Sequence, residues 1–111
     1  MNTALPAKTT FKIPTKDGDW ITITSEVRKI TPALARELLK RNTNNRALRP
    51  AHVDMLRGTM QRGEWQVTHQ GLAFADDGEL LDGQHRLEAL GTMPDDFFCF
   101  MKVETGYERD T

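Results

Sequence analysis

Hydrophobic and polar positions first alternate at Phe11 and Ile13, and again at Ile21 and Ile23 after Trp20. Between the two runs lies Lys16-Asp17-Gly18-Asp19. A period of two on both sides of a Gly-containing turn predicts a β-hairpin. Pro14 has no N–H to donate, which confines the first strand to a sheet edge or a strand end. Residues 1–10 carry little apolar content and read as a loose arm. Residues 27–30 either continue or restart a strand after Ser25.

The period then lengthens. Thr31 is a favoured helix N-cap and Pro32 is favoured at the first helical position. Leu34, Ala35, Leu38 and Leu39 form a helical stripe through about Arg41, and Arg36, Lys40 and Arg41 lie off it. Residues 42–49, NTNNRALR, are rich in turn formers and predict a loop. Pro50 opens a second helix, with Val53, Leu56 and Met60 on one face and Gly63 as its stop. Trp65 reads as a core residue, and with Val67 it leads into the next strand.

Residues 72–75 predict a strand with Phe74 inward. Asp76-Asp77-Gly78 makes a hairpin connection to an antiparallel partner at residues 79–81. Asp82-Gly83 turns the chain into a helix beginning at Gln84. Leu87, Ala89 and Leu90 face the core, and Gly91 serves as its stop. After the loop at Pro94-Asp95-Asp96, residues 97–103 form one apolar run, the pattern of a strand covered on both faces. Residues 104–111 are polar and supply no closing element. The expected fold class is α/β (α+β): a small mixed sheet with helices. The expected organisation is an arm and strand hairpin over residues 1–29 and a domain over residues 30–111, trimmed at its carboxy-terminal side.

Composition narrows the class. A chain of 111 residues suits one modest core, and 38% hydrophobic with 28% charged residues is the balance of a globular rather than a disordered chain. No apolar run reaches transmembrane length, so no membrane partner is expected. The amino-terminal residues show no signal-peptide apolar region, and Cys99 is the only cysteine. A single cysteine within FFCFM reads as a buried thiol in a reducing, cytoplasmic setting. Charge is unevenly spread. Residues 36–62 hold seven Lys and Arg against two Asp and Glu, whereas residues 76–111 hold three against ten. A basic middle segment suggests a phosphate-bearing partner, although a solvated helix face has the same composition.

The candidate chemistry gathers at Asp82-Gly83-Gln84-His85-Arg86. The first N–H groups of a helix have no internal partner and sit at the positive end of its dipole, where an anion is stabilised. Gly83 lets backbone approach a ligand without a Cβ in the way. His85 adds a donor, and Arg86 adds a permanent charge with fork geometry. The plainer reading makes Asp82 an N-cap, worth roughly 1 kcal/mol, which competes with an anion for the same N–H groups. The loop at residues 42–49 offers a second arm, because Asn amides and the Arg guanidinium donate to phosphate oxygens. His52 and His69 lie away from any Cys or carboxylate cluster with metal-ligand spacing.

A hairpin strand running into Gly-x-His-Arg at a helix start resembles the ParB/sulfiredoxin-like superfamily. The wording DGQHRL resembles its phage and bacterial ParB-like branch. The similarity runs in order and spacing from residue 42 to residue 90, with a looser fit over residues 30–41. It implies a ParB/sulfiredoxin-like fold and a phosphate or nucleotide site. By resemblance, Asn44, Asn45 and Arg46 join Gly83, Gln84, His85 and Arg86 as its binding residues, with Asp82 and His85 as candidate catalytic groups. It further implies a nucleoside triphosphate with magnesium as ligand, in a nucleotide-dependent enzyme or switch. Gln84 stands where sulfiredoxins carry their cysteine, which argues against that chemistry. His85 replaces the first Arg of the partition proteins' turn, which argues against CTP specificity. Two alternatives stand beside this one. A DNA-binding protein or ParB-like nuclease would use the basic segment, with Arg46 and Arg49 as nucleic-acid contacts. A scaffold module would keep the fold without catalysis.

Overall fold

The computed structural model describes residues 8–43, 47–67 and 71–108. It is a mixed α+β fold of five strands and three helices in the order β1(Thr9–Pro14), β2(Trp20–Ile30), α1(Pro32–Leu39), α2(Pro50–Gln61), β3(Leu72–Ala75), β4(Leu80–Asp82), α3(Gln84–Gly91) and β5(Cys99–Tyr107). The strands form one sheet in the order β1-β2-β5-β3-β4. All neighbours are antiparallel except β3 and β5, which run parallel. β2 is a single strand of 11 residues that crosses position 29/30 and pairs with β5 from Thr24 to Ile30. The amino-terminal hairpin is thereby part of the same sheet as the rest.

Local signals explain the helices. Pro32 stands at the start of α1, and the Thr31 hydroxyl accepts the Leu34 N–H at 3.1 Å. α2 also begins with proline. It ends with Gly63 at φ 71°, the Gly63 N–H bonding the Met60 carbonyl and the Glu64 N–H the Thr59 carbonyl. That pair of bonds is the Schellman arrangement. α3 packs against both α1 and α2 and buries Leu87, Ala89 and Leu90. The helices cover the sheet face carrying Cys99, Met101 and Val103, so these side chains share one core with Leu38, Met60 and Leu90.

Four expectations need correction. Thr9 and Thr10 belong to β1 rather than to a loose arm. β5 is not covered on both faces: its burial alternates, and Phe98, just before it, is 45% exposed beneath the Lys29 ammonium, 4.3 Å from the ring centroid. The apolar run reflected aromatic residues on the open face. The strand also continues to Tyr107, because β2 and β3 supply backbone partners that make polar residues as good as apolar ones there. Finally, Gly91 lies inside α3, and Thr92 is the C-cap. Glycine suits position 91 for closeness: the Arg36 guanidinium donates to the Gly91 carbonyl at 2.8 Å, and a Cβ there would meet Arg36 Cγ at 3.2 Å.

Among the described residues no helix is long and apolar enough to cross a membrane. Cys99 is buried and unbridged, and burial pushes its thiol up to about 12.

Candidate functional site

β4 delivers the chain to the amino-terminal end of α3 through one residue, Gly83, at φ 105°. A Cβ at this position would collide with the Leu72 side chain and press on the Gly71 carbonyl. Glycine is therefore required here by the turn and by β3 packing against it, before any ligand is considered. Asp82 is not the N-cap. It closes β4, and its Oδ1 accepts the Gly83 N–H at 2.9 Å. Gly83 occupies the N-cap position, and among the described residues no side chain caps the helix. Asp82 therefore does not compete for the first-turn N–H groups of α3.

These residues line a cleft of about 370 Å³ with Ala47, Arg49, His52 and Leu81. Its size falls within the range of small-ligand clefts, roughly 300–1,000 Å³. The structure brings Asp82, Gly83, Gln84, His85 and Arg86 together as expected and adds Arg49 from the residue before α2. Arg49 had been expected only as a nucleic-acid contact. Asn44, Asn45 and Arg46 lie outside the described residues.

Arg86 is half-buried, and its Nη1 donates to the Gly71 carbonyl at 3.1 Å. One of the five guanidinium N–H groups is thereby spent on holding the fork against the start of β3. His85 Nε2 accepts the Arg49 backbone N–H at 3.0 Å. The ring is therefore neutral at Nε2 and carries its proton on Nδ1. Partial burial holds His85 below its ordinary value of 6.5, reinforced by His52, Arg49 and Arg86, while Glu88 acts the other way. His85 thus joins the α3 amino terminus to the start of α2 as an acceptor. That role differs from the donor to phosphate read from the sequence.

His52 escaped sequence reasoning. It sits in the first turn of α2, and its ring stands edge-on to that of His85, with centroids 4.9 Å apart and 67° between planes. Thirty-odd residues separate the two in the chain, and no spacing rule connects them. Only the packing of α2 on α3 does.

Four basic side chains of the middle segment make exposed surface pairs with acids. Arg36 reaches Asp95 at 3.5 Å, Lys40 reaches Glu37 at 3.2 Å, Arg57 reaches Asp54 at 2.6 Å, and Arg62 reaches Glu64 at 2.8 Å. Arg57 Nε also donates to Thr92 Oγ1 at 2.8 Å, so Arg36 and Arg57 hold the far end of α3 to α1 and α2. Among the described residues no three His, Cys, Asp or Glu side chains group to hold a metal ion. Among the described residues Asp82 is the one carboxylate lining the cleft. No protein-family model, curated protein or solved structure matches the chain.

Proposed function

We propose that this chain is a phosphate- or nucleotide-binding domain, and that its ligand's phosphates sit against the first turn of α3. The observation that carries this reading is the α3 amino terminus, capped by no side chain among the described residues, opening into a cleft lined by Arg49, Arg86, His52 and His85. A helix start offers aligned N–H groups and positive potential, and guanidinium groups add charge-assisted bonds. The donor set fits a polyphosphate better than an apolar ligand, and magnesium would arrive on the nucleotide's own phosphates. The resemblance of DGQHRL to the ParB/sulfiredoxin-like turn points the same way and makes a nucleoside triphosphate the first ligand to try. A nucleotide-dependent enzyme or switch follows from that resemblance, with Asp82 and His85 as the groups nearest the phosphates. This reading is placed before DNA binding because the cleft gathers donors at one point, whereas Arg36, Lys40, Arg57 and Arg62 are paired with acids at the surface.

The test is calorimetric titration with ATP, CTP and GTP plus magnesium at fixed salt. Removing a charge-assisted bond from Arg86 should cost about 1.5–3 kcal/mol, or roughly ten- to a hundredfold in affinity, in Arg86→Ala. The Gly71 bond makes Arg86→Ala a less stable protein too, so affinity is read on samples shown to be folded. Equal affinity in the wild type and the variant removes the α3 start from the site and favours the scaffold reading.

A further inference from the structure

We propose that the cleft takes up a doubly charged oxyanion together with a proton, and that the His52–His85 imidazole pair receives that proton. The inference rests on the phosphate-binding reading above and adds the ligand's charge class and its coupling to pH. It selects a terminal phosphate group, as in free phosphate, a monoester or a nucleotide chain end, over the singly charged diester of a nucleic-acid backbone.

The unliganded His85 presents a lone pair at Nε2, and the Arg49 N–H fills it at 3.0 Å. A lone pair cannot bond an oxyanion, and the Arg49 N–H is occupied while it serves that nitrogen. A proton on Nε2 changes both at once. The nitrogen becomes a donor, and the Arg49 N–H is released as a second donor beside it. Two adjacent donors need an acceptor with more than one oxygen and with charge to spare, which a dianion provides.

The cationic neighbours of the ring support this coupling, and Glu88 opposes it. His52 from α2 stands edge-on at 4.9 Å, and Arg49 before α2 and Arg86 on α3 both oppose a positive ring. Glu88 on α3 favours one, and Asp82 at the end of β4 lines the same cleft with its Oδ1 on the Gly83 N–H. Without an anion, protonation places an imidazolium against two guanidinium groups and a second imidazole. A dianion in the cleft offsets most of that positive charge. By thermodynamic reciprocity, whatever the anion does for the proton, the proton does for the anion.

Sulfate is the probe, because its charge stays at two across the range tested, and dimethyl phosphate is the singly charged comparison. Affinities are measured by calorimetry, and the imidazole nitrogens of His52 and His85 are followed by NMR. A one-unit rise in the His85 pKa on saturation corresponds to several-fold tighter sulfate binding at about pH 5.5 than at about pH 8, with about tenfold as the limit at lower pH. Dimethyl phosphate should bind more weakly and with little pH dependence. His52→Gln should raise the pH at which free His85 titrates, and His85→Gln should remove the pH dependence of sulfate binding. Should His85→Gln fail to fold, the wild-type titration and His52→Gln decide the matter. Sulfate bound equally at both pH values, with unmoved imidazole signals, overturns the inference and leaves the anion site standing. Neither sulfate nor any nucleotide binding at either pH overturns the site reading as well.

Discussion

At Gly83 the backbone turns with φ 105°, and the space a Cβ would need is taken by Leu72 and the Gly71 carbonyl. Gly78 has a similar φ of 91° but nothing within 4 Å of a Cβ. The pair separates conformational strain from crowding. Gly78→Ala should cost about 1–2 kcal/mol, the price of a left-handed Cβ alone. Gly83→Ala should cost about 1–3 kcal/mol more, because it also overpacks the contact with β3. Urea unfolding of the two variants measures the difference, and equal midpoints would mean that Leu72 yields freely. Gly83→Val would then report folding before it reports ligand binding. Cys99 makes a second residue-scale case. It is 6% exposed, and its thiol is pushed up to about 12, so a disulfide reagent at neutral pH should leave the native protein untouched and modify it only in denaturant.

At the scale of elements, α1 shows how a short helix is started. It has eight residues, too few to persist alone, and its stability comes from packing Ala35 and Leu38 and from its amino-terminal cap. Thr31→Ala removes the hydroxyl that accepts the Leu34 N–H and should cost about 1 kcal/mol, whereas Thr31→Asn should cost little. Thermal or urea midpoints of the two variants test this, and equal losses in both would show that the cap bond is not what matters. The start signals of all three helices were legible because caps, prolines and turns act within three or four residues. The end of β5 was not. Lys102, Glu104 and Thr105 extend the strand because β2 and β3 flank it, and neither flank is local in sequence.

For the whole molecule, the titrating groups define a window of stability. His85 is held below its ordinary 6.5 by burial first and by His52, Arg49 and Arg86 next. Below that pH the unfolded chain binds a proton that the folded chain resists, so stability falls as the solution is acidified through 6.5. Cys99 and Tyr107 are raised to about 12 from 9.0 and 10.0, by burial in both cases and also by the Glu104 carboxylate for Tyr107. Above about pH 9 the unfolded chain loses protons that the folded chain keeps, so stability falls again. The expected profile is a plateau between these limits, read from denaturant midpoints against pH. His85→Gln should flatten the acid shoulder just below 6.5 while leaving unchanged the alkaline side and the further loss below 4.5 that comes from the depressed Glu104 carboxyl. An acid shoulder that survives this substitution would move the effect to another group.

The chain by itself determined what depends on near neighbours: the hairpin before Ile23, Thr31-Pro32 at α1, Pro50 at α2, β3 with its Gly78 turn, and α3 beginning at Gln84. It also determined which side chains stand at the α3 start, since Gly83 to Arg86 are consecutive. What only the tertiary structure decided is who faces them. His52 and Arg49 meet His85 because α2 packs on α3, and Gly71 holds Arg86 because β3 lies beside the turn. The same packing turned His85 from a donor into an acceptor, whereas the bond from the Gly83 N–H to Asp82 joins adjacent residues and is local. The physical reason is one of range. Backbone propensity and capping act over a single turn of chain, whereas the protonation and direction of a polar side chain follow from atoms within a few ångströms in space, wherever in the sequence they arise.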